Sequence, residues 1–442
     1  MLTRVCLSLA LLAATPVWSQ ATPNDEAQMQ TPPPAGGDAY PTTVGSEARS
    51  NYLSAGLVIN TAYDNNVPGV DSATPVGDVT YSISPTITLD ETTPRQHRMF
   101  TYSPGFTFYQ HTSALNEANQ NAALNFQYLL SQYTTITLTD SFQKSSNVFN
   151  QPYPLSGGPI SGSAQSPPSV VAPFADQLSN TANARLSYQF SRDGMIGGGA
   201  TVSELNFPNP AEASGLGNSN SRGASAFYNQ RLSRSQYIGV TYQYLRSQNN
   251  PVNAQASPVN AQTQTQTHTI LPFYTIYLGS AFSLSLSGGP QHLEVTQPPL
   301  PTTGSWTPSV MASIGWQRSH TNFVASYSRS VSAGMGLLGA FDSNSVNASA
   351  RWQISRTWTL GSAATYAISK NVTPLLSSSS PGGHTISGSF SVQHPIGEHL
   401  TAELGYESLR QNYSSVAVIS NAPDSNREFI SISYQFIRQL GR

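Results

Sequence analysis

The chain has 442 residues, a formal net charge of -2 and only 10% charged residues, well below the quarter or so usual in a soluble protein. That near-neutral balance excludes a nucleic-acid partner, which would need a basic face. A mean hydropathy of -0.26, with no later apolar run of the roughly 20 residues a helix needs to cross a bilayer, excludes a bundle of membrane-spanning helices.

The N-terminus reads as a secretory signal over residues 1–19. Arg4 supplies the positive charge, Val5–Ala14 is a short apolar run, and Val17 and Ser19 are small enough for cleavage before Gln20. The only cysteine, Cys6, lies inside that run. The mature chain therefore has no thiol for a disulfide or a Cys-based metal site. Residues 20–50 follow, rich in Pro, Thr and Gly, with Pro32–Pro34 in a row. They show no periodicity and read as a disordered periplasmic tail, a candidate contact for a periplasmic partner.

From 51 to 442 the chain alternates. Asp78–Leu89 shows the pattern plainly: Val79, Tyr81, Ile83, Pro85, Ile87 and Leu89 share one parity, and Thr80, Ser82, Ser84, Thr86 and Thr88 the other. Successive side chains of a strand face opposite sides, so one face is apolar and the other wet. About 18 such segments recur. In order they are Tyr52–Tyr63, Asp78–Leu89, Arg98–Gln110, Asn121–Gln132, Thr134–Gln143, Asn180–Phe190, Met195–Leu205, Gly223–Leu232 and Gln236–Arg246. Then come His268–Leu278, Ala281–His292, Trp306–Arg318, Thr321–Ser330, Ser345–Ile354, Thr357–Ile368, His384–Val392, His399–Ser408 and Glu428–Phe436. This predicts an all-β fold: a transmembrane antiparallel up-and-down β-barrel of about 18 strands (range about 16–20), behind a disordered N-terminal tail. Its lipid partner is the outer membrane.

Tight connections such as Gly279-Ser280 and Ser319-His320 alternate with long ones such as Asn206–Arg222 and Lys144–Gln177. Barrels of bacterial outer membranes put short turns in the periplasm and long loops outside. The longest connection, Lys144–Gln177, either folds into the lumen or covers the outside. Aromatic residues gather near strand ends, among them Tyr188, Tyr228, Trp306, Trp316, Trp352, Trp358 and Tyr406, as interfacial girdles do.

Strand parity points Arg185, Arg231, Arg351, Glu403 and Glu407 inward, as candidate pore-lining residues. They either set a field that selects ions or pair with one another and brace the wall. Arg222 and Arg329 share the lipid-side parity near strand ends and read as headgroup anchors. The eight histidines sit mostly at strand ends or turns, and His268 and His384 fall on the lipid side. Gly197–Gly199 lies within a strand, without the loop and helix of a phosphate site; small residues there let a side chain pack against the wall. No catalytic residue, metal site or cofactor is expected, and no enzyme activity.

The segment Phe429-Ile430-Ser431-Ile432-Ser433-Tyr434-Gln435-Phe436 resembles the last-strand sorting sequence of outer-membrane proteins. It departs from that pattern in having Ser431 for the usual glycine and in continuing to Arg442. Over Tyr52–Phe436 the chain resembles the outer-membrane β-barrel porins, in pattern rather than by a subfamily motif. The resemblance implies insertion by the barrel-assembly machinery through the last strand. It also implies either passive diffusion of small polar solutes or export of a polymer such as exopolysaccharide with a partner. A structural or adhesive surface barrel with a filled lumen stays open as a third reading.

Overall fold

A computed structural model describes residues 51–67, 75–145 and 176–440, apart from 211–212, 214–215, 253–261, 280, 299, 334–338, 373–381 and 415–423. The leader and tail expected over 1–50, and most of the long connection Lys144–Gln177, lie outside the described residues.

Eighteen antiparallel strands run in chain order around one sheet, and β1 (Tyr52–Asp64) pairs with both β2 (Asp78–Thr92) and β18 (Asp424–Gln439), which closes the barrel. The intervening strands are β3 (Gln96–Tyr109), β4 (Glu117–Ser131), β5 (Thr134–Ser145), β6 (Gln177–Gln189), β7 (Gly194–Asn206), β8 (Gly217–Ser233), β9 (Gln236–Pro251) and β10 (Thr263–Leu278). They continue with β11 (Phe282–Thr296), β12 (Thr303–Arg318), β13 (Thr321–Ala333), β14 (Ala340–Gln353), β15 (Thr359–Asn371), β16 (Gly382–Ile396) and β17 (Leu400–Ser414). Strand spacing of about 4.8 Å and a tilt of about 40° give 18 strands a backbone diameter of roughly 35 Å.

The pattern of exposure sorts the two faces. Ile59, Ile87, Leu186, Ile270, Trp352, Leu404, Ile430 and Ile432 are exposed, while Ser54, Thr80, Thr86, Thr107, Thr275, Ser285, Ser309 and Thr385 are buried. This inverts a soluble protein, and only a surrounding apolar solvent makes it favourable. On β12 the outward residues run from Trp306 to Trp316. Ten residues at about 3.3 Å each, tilted by about 40°, span roughly 25 Å, the height of an apolar girdle.

The inner face is held by hydroxyl pairs across neighbouring strands: Ser221–Ser247 at 2.7 Å, Thr275–Ser285 at 2.8 Å and Ser328–Ser345 at 2.7 Å. At one pair of prolines, which lack the backbone donor, the ladder breaks and side chains stand in. Between Ile83↔Phe106 and Ile87↔Tyr102 the β2–β3 register is interrupted at Pro85 and Pro104. There Thr86 and Ser103 hydroxyls pair at 2.7 Å, and Ser103 Oγ donates to the Pro85 carbonyl at 3.3 Å. At the loop end of β2, the buried Asp78 carboxylate gathers the start of the β3–β4 connection. It accepts from His111 N (3.0 Å), Thr112 N (2.8 Å) and Thr112 Oγ1 (2.7 Å).

One junction leaves the cylinder. β12 pairs with β13 only from Val310↔Arg329 to Arg318↔Thr321, although β12 begins at Thr303 and β13 runs on to Ala333. Beyond Arg329, β13 stays paired with β14 as far as Ala333↔Ala340 and bends inward with it.

Candidate functional site

The inward-bent β13–β14 hairpin stands in the mouth of the barrel. Its outward-parity side now faces the inner wall: Val331 and Ala340 pack against Leu293 and Val295 of β11. Gln291, on the inner face of β11, clasps the β13 backbone at both ends of its amide. Nε2 donates to the Val331 carbonyl and Oε1 accepts from the Val331 N–H, each at 2.9 Å. β12 lies between β11 and β13 in the sheet, so this contact runs through the interior. Deeper in the turn, Asn249 of β9 donates from Nδ2 to the Gly339 carbonyl at 3.2 Å. Gly339 has φ 115°, a backbone conformation that suits glycine and strains any side chain.

The other side of the hairpin presents Phe341 to a second cluster with Phe207, Ala213, Leu216 and Tyr413. Phe207 and Leu216 flank the β7–β8 connection, and Tyr413 ends β17. β8 and β17 are nine strands apart among eighteen, diametrically opposed in the sheet order. The β7–β8 connection therefore reaches across the mouth to meet the hairpin and the far wall. Tyr413 Oη is anchored in turn by Thr385 Oγ1 at 3.1 Å. The result is an apolar bar across an otherwise polar lumen.

The charges expected to line the pore all fall on the inward parity of their strands. The Arg185 guanidinium lies over the Phe227 ring, 4.2 Å from its centroid, a cation–π contact. Phe227 lies where a Cβ on Gly197 would collide with its ring, so the glycine run makes room for this stack, as the sequence suggested. Arg231 does not project freely. Its Nη2 is 2.7 Å from Asp193 Oδ1, and it also donates to the Arg192 carbonyl at 3.3 Å, tying β8 to the β6–β7 turn. Arg351 stands opposite Asn322 and Gly361, and Glu403 opposite Gln393 and Ser431. Glu407 is buried and directly faces Arg427, which in turn faces Asp64. Carboxylate, guanidinium and carboxylate thus lie in one row across β17, β18 and β1, where the last strand meets the first.

The two arginines read as headgroup anchors part company. Arg222 is exposed on the outward face. Arg329 is instead bound to Asp342, Nη2 to Oδ2 at 2.9 Å, at the point where the hairpin leaves the wall. Sequence reasoning missed the hairpin because it ended β13 at Ser330 and began β14 at Ser345. A signal was present: Met335, Leu337, Leu338, Ala340 and Phe341 make this connection apolar, unlike the polar loops around it. Among the described residues no group of three His, Cys, Asp or Glu side chains is placed to hold a metal ion, and no helix is long and apolar enough to cross a membrane.

No protein-family model and no curated protein matches the chain. Several solved structures share its barrel shape. The FrpB iron transporter of Neisseria meningitidis (F3-3 variant) is similar over 81% of this chain and 62% of its own, at 13% identity and a TM-score of 0.40. The ferric citrate transporter FecA is similar over 83% of this chain and 60% of its own, at 11% identity and a TM-score of 0.41. The outer membrane protein OpdK of Pseudomonas aeruginosa is similar over 87% of this chain and 99% of its own, at 12% identity and a TM-score of 0.39. The chain spans about three-fifths of the length of the two iron transporters it resembles. These likenesses are too loose to bear on what passes through the barrel.

Proposed function

We propose that this chain is an outer-membrane channel for small polar solutes whose mouth is narrowed by the β13–β14 hairpin. One observation carries the reading: a closed wall apolar outside and lined inside with hydroxyls and amides, crossed at one end by a segment of the wall itself. An 18-strand barrel is wide enough to hold water. The bar limits what can pass, and Arg185, Arg351 and Glu403 bias passage by charge, whereas the buried Glu407 braces the seam with Arg427. Arg231 serves the wall. Residues 1–19 direct the chain through the inner membrane and are removed, residues 20–50 stay in the periplasm, and the last strand docks on the assembly machinery. No cofactor or catalytic step is involved.

A second reading draws on the same bar. Five apolar side chains meeting across the mouth favour a conduit that is shut at rest and opens for export when a periplasmic partner engages the tail. Single-channel recording of the refolded protein in planar bilayers separates the two. Discrete steps at rest, smaller than those of a variant lacking the hairpin tip 332–339, support the channel. Inserted, folded protein that passes no current without its partner overturns resting diffusion and favours the second reading.

A further inference from the structure

Near the loop end of the barrel, Arg222 of β8 and Arg246 of β9 face each other directly across the ladder on the outward side, and both are exposed. Like charges so opposed repel. Arg246 Nη2 donates to Gln264 Oε1 at 3.0 Å, and among the described residues neither arginine is in an ion pair. The carboxylate nearest by register is Glu204 of β7. It stands opposite Asn220, diagonal to Arg222, and accepts from Asn220 Nδ2 at 3.1 Å. On the other side, the outward His268 of β10 is bound to Tyr242, Nδ1 to Oη at 2.8 Å. Two unneutralised guanidiniums therefore stand side by side at the rim of the apolar girdle.

Directly below them the wall is smooth. Ala224 pairs with Tyr244 and Ala226 with Tyr242, while Ala200 and Gly198 lie beside these alanines on β7, and Ala184 beside Ala200 on β6. A second outward row of small residues, Ala325, Ala348, Ala364 and Gly388, crosses β13–β16, but the arginine above it, Arg329, is already paired with Asp342. The small residues below Arg222 and Arg246 make a shallow trough bounded on one side by the tyrosines of β9. Three strands, β6–β8, at about 4.8 Å each make it roughly 14 Å wide at Ala184, Ala200 and Ala224, room for about three acyl chains abreast, and Leu186 beside Gly198 narrows it one step deeper.

We propose that Arg222 and Arg246 clamp a phosphate of a phosphorylated, multiply acylated glycolipid in the outer leaflet, with its chains lying in the trough below. The charge is complementary: paired guanidiniums bind phosphate oxygens in forked, charge-assisted geometry, and the anion removes the repulsion between them. The leaflet follows from the site's position at the loop end, so this inference rests on the reading of the barrel as an outer-membrane protein.

The test is native mass spectrometry of the full barrel, released from detergent after equilibration with diphosphorylated lipid A, dephosphorylated lipid A or phosphatidylglycerol. Wild type should retain lipid A, and R222Q/R246Q should lose at least tenfold in apparent affinity while keeping its heat-modifiable folded mobility. Dephosphorylated lipid A should bind wild type no better than lipid A binds the double variant. E204Q should bind lipid A at least as tightly as wild type, and weaker binding would count against the charge argument. Equal retention by the double variant, or equal retention of phosphatidylglycerol, would overturn the proposal. So would a lipid-independent dimer that R222Q/R246Q leaves intact, because the smooth face would then be a contact between copies. A chain that fails to enter bilayers at all would defeat the outer-membrane reading itself, a result distinguishable from folded, inserted protein with no lipid preference.

Discussion

Replacing Gln291 by leucine should loosen the hairpin and open the mouth. Gln291 and Val331 are 4% and 3% exposed, so the two hydrogen bonds between them at 2.9 Å are shielded from water. Leucine fills a similar volume but leaves the Val331 N–H and carbonyl without this partner. A buried backbone group stripped of its bond costs about 1–3 kcal/mol, so the pair costs roughly 2–6 kcal/mol in the docked state. A hairpin swung into water recovers solvent bonds but gives up the packing of Val331 and Ala340 on Leu293 and Val295. Taking a net shift of about 3 kcal/mol, the ratio of undocked to docked hairpin rises roughly 100-fold, at about 1.4 kcal/mol per factor of ten. The assay is single-channel recording beside wild type, with heat-modifiable mobility confirming an intact wall. The expected result is a larger unitary conductance, or frequent excursions to a larger level. Gln291→Glu keeps the acceptor for the Val331 N–H but sets a carboxylate against the Val331 carbonyl, and should fall on the same side. A folded Gln291→Leu barrel with wild-type conductance and noise would refute the role of this clasp in holding the mouth narrow.

Gly339→Ala should act on the same element from the turn. A side chain at φ 115° costs about 1–3 kcal/mol of backbone strain, and proteolysis of the intact barrel at this connection should quicken by a factor of about ten. Arg185→Ala should shift reversal potentials toward cation preference and Glu403→Gln toward anion preference, measured under a salt gradient. An unchanged potential in both would remove these residues from the conduction path. Asp78→Asn should free the β3–β4 connection, because the amide replaces a charged acceptor that holds the His111 and Thr112 N–H groups, the Thr112 hydroxyl and the His111 ring. Charge-assisted bonds are each worth about 1.5–3 kcal/mol. Faster amide exchange at His111 and Thr112, with the wall unchanged, is the expected readout.

The wall was legible in the sequence because its physics is local. Alternation over Asp78–Leu89 reports directly which side chains meet lipid, and it fixes β2 whatever its neighbours do. Even weakly alternating stretches such as Met195–Leu205 became strands, since an edge within a barrel must be paired. The structural strands run longer than the alternation suggested: β8 begins at Gly217 rather than Gly223, where Asn218 and Asn220 rise above the apolar girdle and parity no longer separates grease from water. The mouth was not legible. Which connection folds inward depends on contacts between residues far apart in sequence, Gln291 with Val331 and Phe207 with Tyr413, and no periodicity encodes them. The same holds for charges: parity placed Arg185 and Arg231 on one face, but only the three-dimensional arrangement tells a guanidinium stacked over Phe227 from one bound to Asp193.

Where the hairpin bends away, β12 loses a neighbour. From Thr303 to Ser309 its ladder to β11 persists, while none of these residues pairs with β13. Every second amide along this stretch gives up its place in the sheet, beside Trp306 at 70% exposure. Seven residues of one strand held on one side only make this short arc thermodynamically soft. Amide exchange should begin there, at opening free energies far below that of the whole wall, and mechanical extraction of the chain should first tear along β12 rather than at the junction of β1 with β18.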